Sequence, residues 1–320
     1  MVYCTRLTKW ASVALIFAMC CTASAVAQKR FALVIGNKDY APSVGPLKNP
    51  LNDSTLIGNA LNQIGFQVVL VKNAKRVDIN REVSRLATRL GDAGENAIGF
   101  LYYSGHGAAR AKDHINYLIP VDIKDVSNDE RWFDAVSLDA ILRELVTSAP
   151  KAAIFIVFDA CRNELRLPVK STIKGFEIMR ETAGVFIAFS TSPDDIASDV
   201  GDAGGPYARA LASELVRPGQ DHVELFLNVK QSVFGTTGNR QRPWESNGLV
   251  QRIYLAGQPE NPPKPIDEMS APGSPMQSDG DGKLEESVAG KTIQGDFRTG
   301  GNCSPVIVGT GGKQKVDIHC

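Results

Sequence analysis

Two side chains in this sequence are of types that could do nucleophilic chemistry together. His106 stands between two glycines in "FLYYSGHGAA", residues 100 to 109, and Cys161 closes the apolar run of "IFIVFDACRNE", residues 154 to 164. A thiol is mostly protonated near neutral pH, so it attacks well only where a base takes its proton or holds the thiolate as an ion pair. Taken singly, each has a plainer reading. His106 could be a turn histidine between permissive glycines, and Cys161 a buried structural cysteine. As a pair they gain meaning, because two neighbouring strands would deliver a histidine and a thiol to the same edge of one sheet.

The elements that must position them follow from hydrophobic patterning. "RFALVIGN", "FQVVLVKN", "AIGFLYYSG", "KAAIFIVFDA" and "GVFIAFSTS" are short, β-branched and aromatic, and read as buried strands. Helical spacing is expected over residues 52–64, 76–91, 135–148 and 205–216, with a last short strand at "LVQRIYL". The alternation predicts an α/β fold with a mainly parallel sheet and helices on both faces. Such sheets place their chemistry at the C-terminal ends of the strands, where both His106 and Cys161 are expected. No internal repeat is present.

The 320 residues are 43% hydrophobic, enough for a substantial core, and 35 basic residues balance 35 acidic ones. That balance gives no reason to expect nucleic acid or an anionic membrane as partner. Arg6 and Lys9 precede the apolar run "ASVALIFAMCC" and the small residues of "TASAVA", the pattern of a secretory signal cut near Ala27. The run is short of the ~20 residues a membrane span needs, so no stable insertion is expected. A secreted or periplasmic location follows. Four segments result: a signal at 1–27, a domain at 28–256, a Pro/Gly/Ser-rich disordered linker at 257–295, and a small C-terminal segment at 296–320. Cleavage would leave Cys161, Cys303 and Cys320. A Cys303–Cys320 disulfide would close a short loop and leave Cys161 as the lone thiol.

With "SGHG" followed 55 residues later by "DACR", the sequence resembles the caspase-type cysteine peptidases. The resemblance extends over about residues 28–255 and includes "ALVIGNKDY", "LKNPLNDS" and "SDVGDAGGPYARAL". It is closer to metacaspases and bacterial caspase-like proteins, which are similar in having Asp where animal caspases have Gln before the cysteine. The resemblance implies a caspase-like three-layer sandwich. It also implies that Cys161 attacks the scissile carbonyl with His106 as base, forming an acyl-enzyme. The backbone N–H groups of Gly107 and Cys161 would then bind the oxyanion.

Metacaspases are similar in lining the first substrate pocket with an acid two residues before the cysteine, the Asp of an "NDA"-like motif, and the Ser of "SGHG". Here these are Asp159, Asp53 and Ser104. Two carboxylates call for a cation, so cleavage after Arg or Lys is expected, whereas cleavage after Asp would need a basic pocket. Each also has a simpler reading: Asp53 as a first-turn acid of the following helix, Asp159 as partner of Arg162, Ser104 bonded to backbone. The chain departs from the family in "DACRN", which lacks the glycine or histidine of its relatives. The basic stretch "RNELRLPVKSTIKGFEIMRETAG" is a candidate for self-cleavage.

Other chemistry is weaker. His114, His222 and His319 have no partners at ligand spacing, so no metal site is expected. Some metacaspases need calcium, but Asp122, Asp125, Asp129 and Glu130 lack EF-hand spacing and read as a solvated acidic loop. "GDAGGPYARAL" lacks a phosphate-binding Lys-Ser/Thr. No cofactor is expected, the partner is a polypeptide with a basic residue before the cut bond, and the closer resemblance implies a monomer. The alternative is a non-catalytic caspase-like binding or scaffold protein of the cell envelope, which would have no need to keep both His106 and Cys161.

Overall fold

Short apolar runs become strands because their β-branched and aromatic side chains can pack on both faces of a sheet. The computed structural model describes residues 28–110, 115–124, 131–161, 181–192 and 203–259. In chain order the strands are β1 (Arg30–Gly36), β2 (Gln67–Lys72), β3 (Ile98–Arg110), β4 (Ile115–Leu118), β5 (Val136–Ser137), β6 (Ala153–Cys161), β7 (Val185–Phe189) and β8 (Trp244–Asn247). The helices are α1 (Pro50–Gln63), α2 (Arg76–Ala93), α3 (Arg131–Asp134), α4 (Leu138–Ser148), α5 (Pro206–Leu215) and α6 (His222–Thr236). The main sheet runs β2-β1-β3-β6-β7-β8, parallel except for β8.

Helix ends follow their local chemistry. Pro50 opens α1, where its missing N–H costs nothing. Ser137 accepts from the N–H of Ala140 at the start of α4, and Asp221 accepts from Glu224 at the start of α6. Asp122, one acid of the expected solvated loop, is exposed and accepts from the N–H of Arg76 at the start of α2.

Strand alternation sends side chains to two cores. Leu33, Leu101, Tyr103, Ile156 and Phe158 pack with α2 and α4 on one face. Val34, Phe100, Tyr102, Phe155, Val157 and Phe186 pack with α1, α5 and α6 on the other. The result is the expected three-layer sandwich. A third cluster, with Tyr40, Val44, Leu47, Tyr117, Ile119 and Trp132, sits beyond the sheet's C-terminal edge.

Three expectations change. The strand bearing His106 continues through Ser-Gly-His-Gly as far as Arg110, leaving the parallel sheet to pair antiparallel with β4. Residues 249–255 form no strand. The backbone of Ile253 is taken by His222, donating N–H to the ring Nδ1 at 3.2 Å while its carbonyl accepts the His222 N–H at 2.8 Å. The final strand is the earlier β8. Helix α6 is missing from the sequence reading because its apolar residues do not keep to one stripe: Val223 and Leu227 are 52% and 46% exposed.

The first strand is tied to the end of the domain. Arg30 donates from Nη1 to the carbonyls of Ile64, at 3.0 Å, and Leu255.

Candidate active site

The site begins where the parallel pairing of β3 and β6 ends. Their register runs from Ile98 opposite Ala153 through Ser104 opposite Asp159 to His106 opposite Cys161. Neighbouring strands lie about 4.8 Å apart, so the backbones of His106 and Cys161 are adjacent at the last rung. The even positions of β3 that face α1, α5 and α6 are Phe100 and Tyr102, and Ser104 and His106 continue that row. In β6 the same row is Phe155, Val157 and Asp159, and Cys161 is its next position.

His106 is 4% exposed and held from several sides. Its backbone N–H donates to the hydroxyl of Tyr40 at 2.9 Å, and its carbonyl accepts from the N–H of Ile119 at 3.0 Å and the hydroxyl of Tyr103 at 2.8 Å. Its ring tilts against that of Tyr40, centroid to centroid 4.6 Å. Nε2 lies 2.7 Å from the carbonyl oxygen of Gly45. A carbonyl can only accept, so Nε2 carries the proton and Nδ1 is the basic nitrogen of the neutral ring. Gly45 adopts φ +94°, a region that favours glycine.

Gly105 is dictated by this arrangement. A Cβ there would come within 2.6 Å of the Tyr103 hydroxyl and 2.7 Å of the Tyr40 hydroxyl. Gly107 pairs with Leu118 of β4. Because Ile119 donates to His106, this is a non-hydrogen-bonded pair, and the Gly107 N–H turns from β4 towards the side where β6 ends.

One rung below the histidine lies an acidic cluster. The Ser104 hydroxyl donates to Asp53 Oδ2 at 3.0 Å, and the Gly205 N–H, at the start of α5, donates to Asp53 Oδ1 at 2.7 Å. Asp53 is thus both a first-turn acid of α1 and the anchor of the turn leading into α5. Asp159, opposite Ser104, accepts from the Tyr102 hydroxyl at 2.8 Å. Burial first, and then the charges of Asp159 and Asp53, hold the Tyr102 phenol well above its usual range, so it stays a neutral donor. Tyr207 is also raised well above its range, by burial and then by Asp159 and Glu245. Among the described residues its buried hydroxyl has no hydrogen-bond partner, and the same is true of Ser190 Oγ.

The structure therefore assembles His106, Gly107, Ser104, Asp53 and Asp159 at one end of the sheet, with the backbone of Cys161 among them. Cys303 and Cys320 lie outside the described residues, as do the basic stretch after Cys161, His114, His319, Asp125, Asp129 and Glu130. His222 is in the core, edge-on to Phe155 and Phe186. Among the described residues no group of three His, Cys, Asp or Glu side chains could hold a metal ion, and no helix is long and apolar enough to cross a membrane. A groove of about 790 Å³ between β2 and α2 is lined by none of the candidate site residues. Arg81, Glu82 and Arg85 along it pair with one another.

Sequence reasoning missed Tyr40, Gly45, Tyr102 and Tyr103 as supports of the site. Tyr102 was discoverable, being in phase with Ser104 and His106 along one strand. Gly45 acts through a backbone carbonyl, which leaves no side-chain signal.

The caspase domain family, peptidase C14, matches residues 29–254. Caspase-1 from Spodoptera frugiperda matches in structure with a TM-score of 0.49 and 19% identity, over 73% of this chain and 92% of that one. A structure of pro-sf-caspase-1 matches with a TM-score of 0.51 and 18% identity over the same shares, a likeness of fold. No curated protein matches the chain closely enough to count as a relative.

Proposed function

The chain belongs to the caspase domain family of cysteine peptidases, and from that premise we propose that it is an endopeptidase cutting polypeptides after Arg or Lys through a Cys161/His106 dyad. The observation that carries this reading is the β3–β6 register, which ends on His106 beside Cys161 with Ser104 and Asp159 one rung below.

In this mechanism Nδ1 of His106 takes the thiol proton while the Gly45 carbonyl holds Nε2–H and fixes the ring. The Cys161 thiolate attacks the scissile carbonyl. Negative charge developing on that oxygen is met by the N–H groups of Gly107 and Cys161. His106 returns its proton to the leaving amine, an acyl-enzyme remains, and water activated by His106 releases the product acid and restores the thiol. The carboxylates of Asp159 and Asp53 favour a cationic side chain before the cut bond, and the burial of Asp53 and half-burial of Asp159 strengthen the attraction.

The chemistry needs no cofactor, and activity is expected to survive a calcium chelator. We place the protein outside the cytoplasm, after removal of residues 1–27. It acts as a monomer, with Cys303 and Cys320 bridged and Cys161 kept as the reactive thiol.

The deciding experiment is hydrolysis of fluorogenic peptides ending in Arg, Lys or Asp by residues 28–320, with Cys161→Ala as control. Cleavage after a basic residue that the control lacks supports the whole proposal. Cleavage only after Asp keeps the dyad and overturns the pocket. No cleavage, with Cys161 also inert to alkylation, favours the non-catalytic scaffold.

A further inference from the structure

Two buried hydroxyls beside the acidic cluster have no hydrogen-bond partner among the described residues. Tyr207, on the first turn of α5, is 1% exposed, and among the described residues no atom accepts from or donates to its hydroxyl. It lies near enough to Asp159 and Glu245 to feel both charges. Ser190 is also 1% exposed, and its Oγ is likewise unpartnered. Its N–H, just past the end of β7, donates to the Phe158 carbonyl at 2.9 Å, which sets Ser190 beside Asp159 of β6. It also continues the row of Phe186 and Ala188, whose side chains face α1, α5 and α6.

A polar row therefore crosses the sheet one rung below His106, through Ser104, Asp159 and Ser190, with Asp53 and Tyr207 supplied from the helices that cover this face. Buried polar atoms are nearly always hydrogen-bonded, because one left unsatisfied has lost its water without a replacement. Two such atoms flanking the buried Asp53 and the half-buried Asp159 mark a place where a ligand supplies the missing partners.

We propose that Tyr207 and Ser190 complete the specificity pocket around Asp159 and Asp53 and make it a reader of guanidinium, so that peptides are cut after Arg in preference to Lys. This rests on the peptidase reading above. A guanidinium carries five N–H donors in a rigid plane and can meet two carboxylates and two hydroxyl oxygens from different directions at once. An ammonium has three donors on one compact centre. It satisfies the carboxylates but leaves the two hydroxyls unpaired.

The test compares kcat/KM for matched Arg and Lys peptides in the native enzyme, Tyr207→Phe and Ser190→Ala. The native enzyme should prefer Arg by about 10-fold or more, the size of one hydrogen bond to a charged group. Tyr207→Phe should cost Arg hydrolysis about 10-fold more than Lys hydrolysis, and Ser190→Ala should shift the ratio in the same direction. Both variants remove an unsatisfied polar atom, so folding should be kept. Cleavage after both residues with an Arg:Lys ratio unchanged in Tyr207→Phe would overturn this inference while leaving the peptidase reading intact. A second arm measures agmatine and cadaverine binding to the Cys161→Ala protein by calorimetry. If no peptide is cut, tighter binding of agmatine that Tyr207→Phe weakens sustains the pocket without the peptidase. Equal or absent binding overturns it.

Discussion

The imidazole of His106 and the carbonyl of Gly45, 61 residues apart in the chain, meet at 2.7 Å. No acidic side chain is needed to orient the base in this arrangement. A backbone oxygen does so, and its position depends on how residues 38–49 fold against Tyr117, Ile119 and Trp132. The quality of the base is therefore tied to the packing of a loop.

Tyr40 tests that tie. Its hydroxyl accepts from the His106 N–H at 2.9 Å and donates to the Ile119 carbonyl at 3.0 Å. Tyr40→Phe should lower kcat about 10-fold with little change in KM, and lower Tm, because it strips partners from buried backbone groups. Steady-state kinetics and a thermal melt read both effects.

The dyad itself should be all-or-none. Cys161→Ala and His106→Ala are each expected to lower kcat by at least about 10³-fold, and the double variant should be scarcely worse than either. Rapid alkylation of Cys161 at mildly acidic pH, lost in His106→Ala, would show the ion pair directly.

Asp159 and Tyr102 should separate charge from positioning. Asp159→Asn removes the negative charge, and kcat/KM for basic substrates should fall about 100-fold. Tyr102→Phe removes only the 2.8 Å hydrogen bond and should cost about 3- to 10-fold, mainly in KM. Equal losses would mean that the pair serves the fold more than the substrate.

His222 should make stability depend on pH. Burial first, and the Arg252 charge, lower its pKa, while the Asn247 amide and Asp221 act against this. With the folded pKa below the unfolded value of about 6.5, the unfolded chain binds the proton first. The stabilising contribution is thus full above that value and is lost as pH falls through the folded pKa. Protonation would also set a proton on Nδ1 against the N–H of Ile253. Between about pH 7.5 and 5, Tm should fall more in the native protein than in His222→Gln.

Gly105 should be intolerant of any side chain. In Gly105→Ala the new Cβ would meet both tyrosine hydroxyls, and the belt that fixes His106 must move. Activity should be lost at temperatures where circular dichroism still reports a folded protein.

Much of this was legible in the sequence. The parallel strands could be read because each is an apolar run bounded by turn residues, and β3 and β6 were paired by the logic of bringing His106 to Cys161. The reading stopped at Gly105 for β3 because glycine usually ends a strand. Here Gly105 is kept for want of space, and the strand continues. Helix α6 was missed because Leu227 and Val223 break its stripe. The false strand at 249–255 has the right composition, but its backbone is claimed by His222. Tyr207 and Ser190 gave no signal of their own, since only the register of β7 on β6 and the turn held by Asp53 bring them to Asp159.

The bond from Arg30 to the Leu255 carbonyl has a practical meaning for handling the molecule. Both ends of the domain leave together, beside the first residue of β1, while the reactive edge begins at Gly36, about 20 Å away along the strand. A tag, bead or surface attached through either end would hold the enzyme by its back and leave its mouth turned outward. Joining the two ends by a short linker and opening the chain elsewhere should give a permuted enzyme that still cuts.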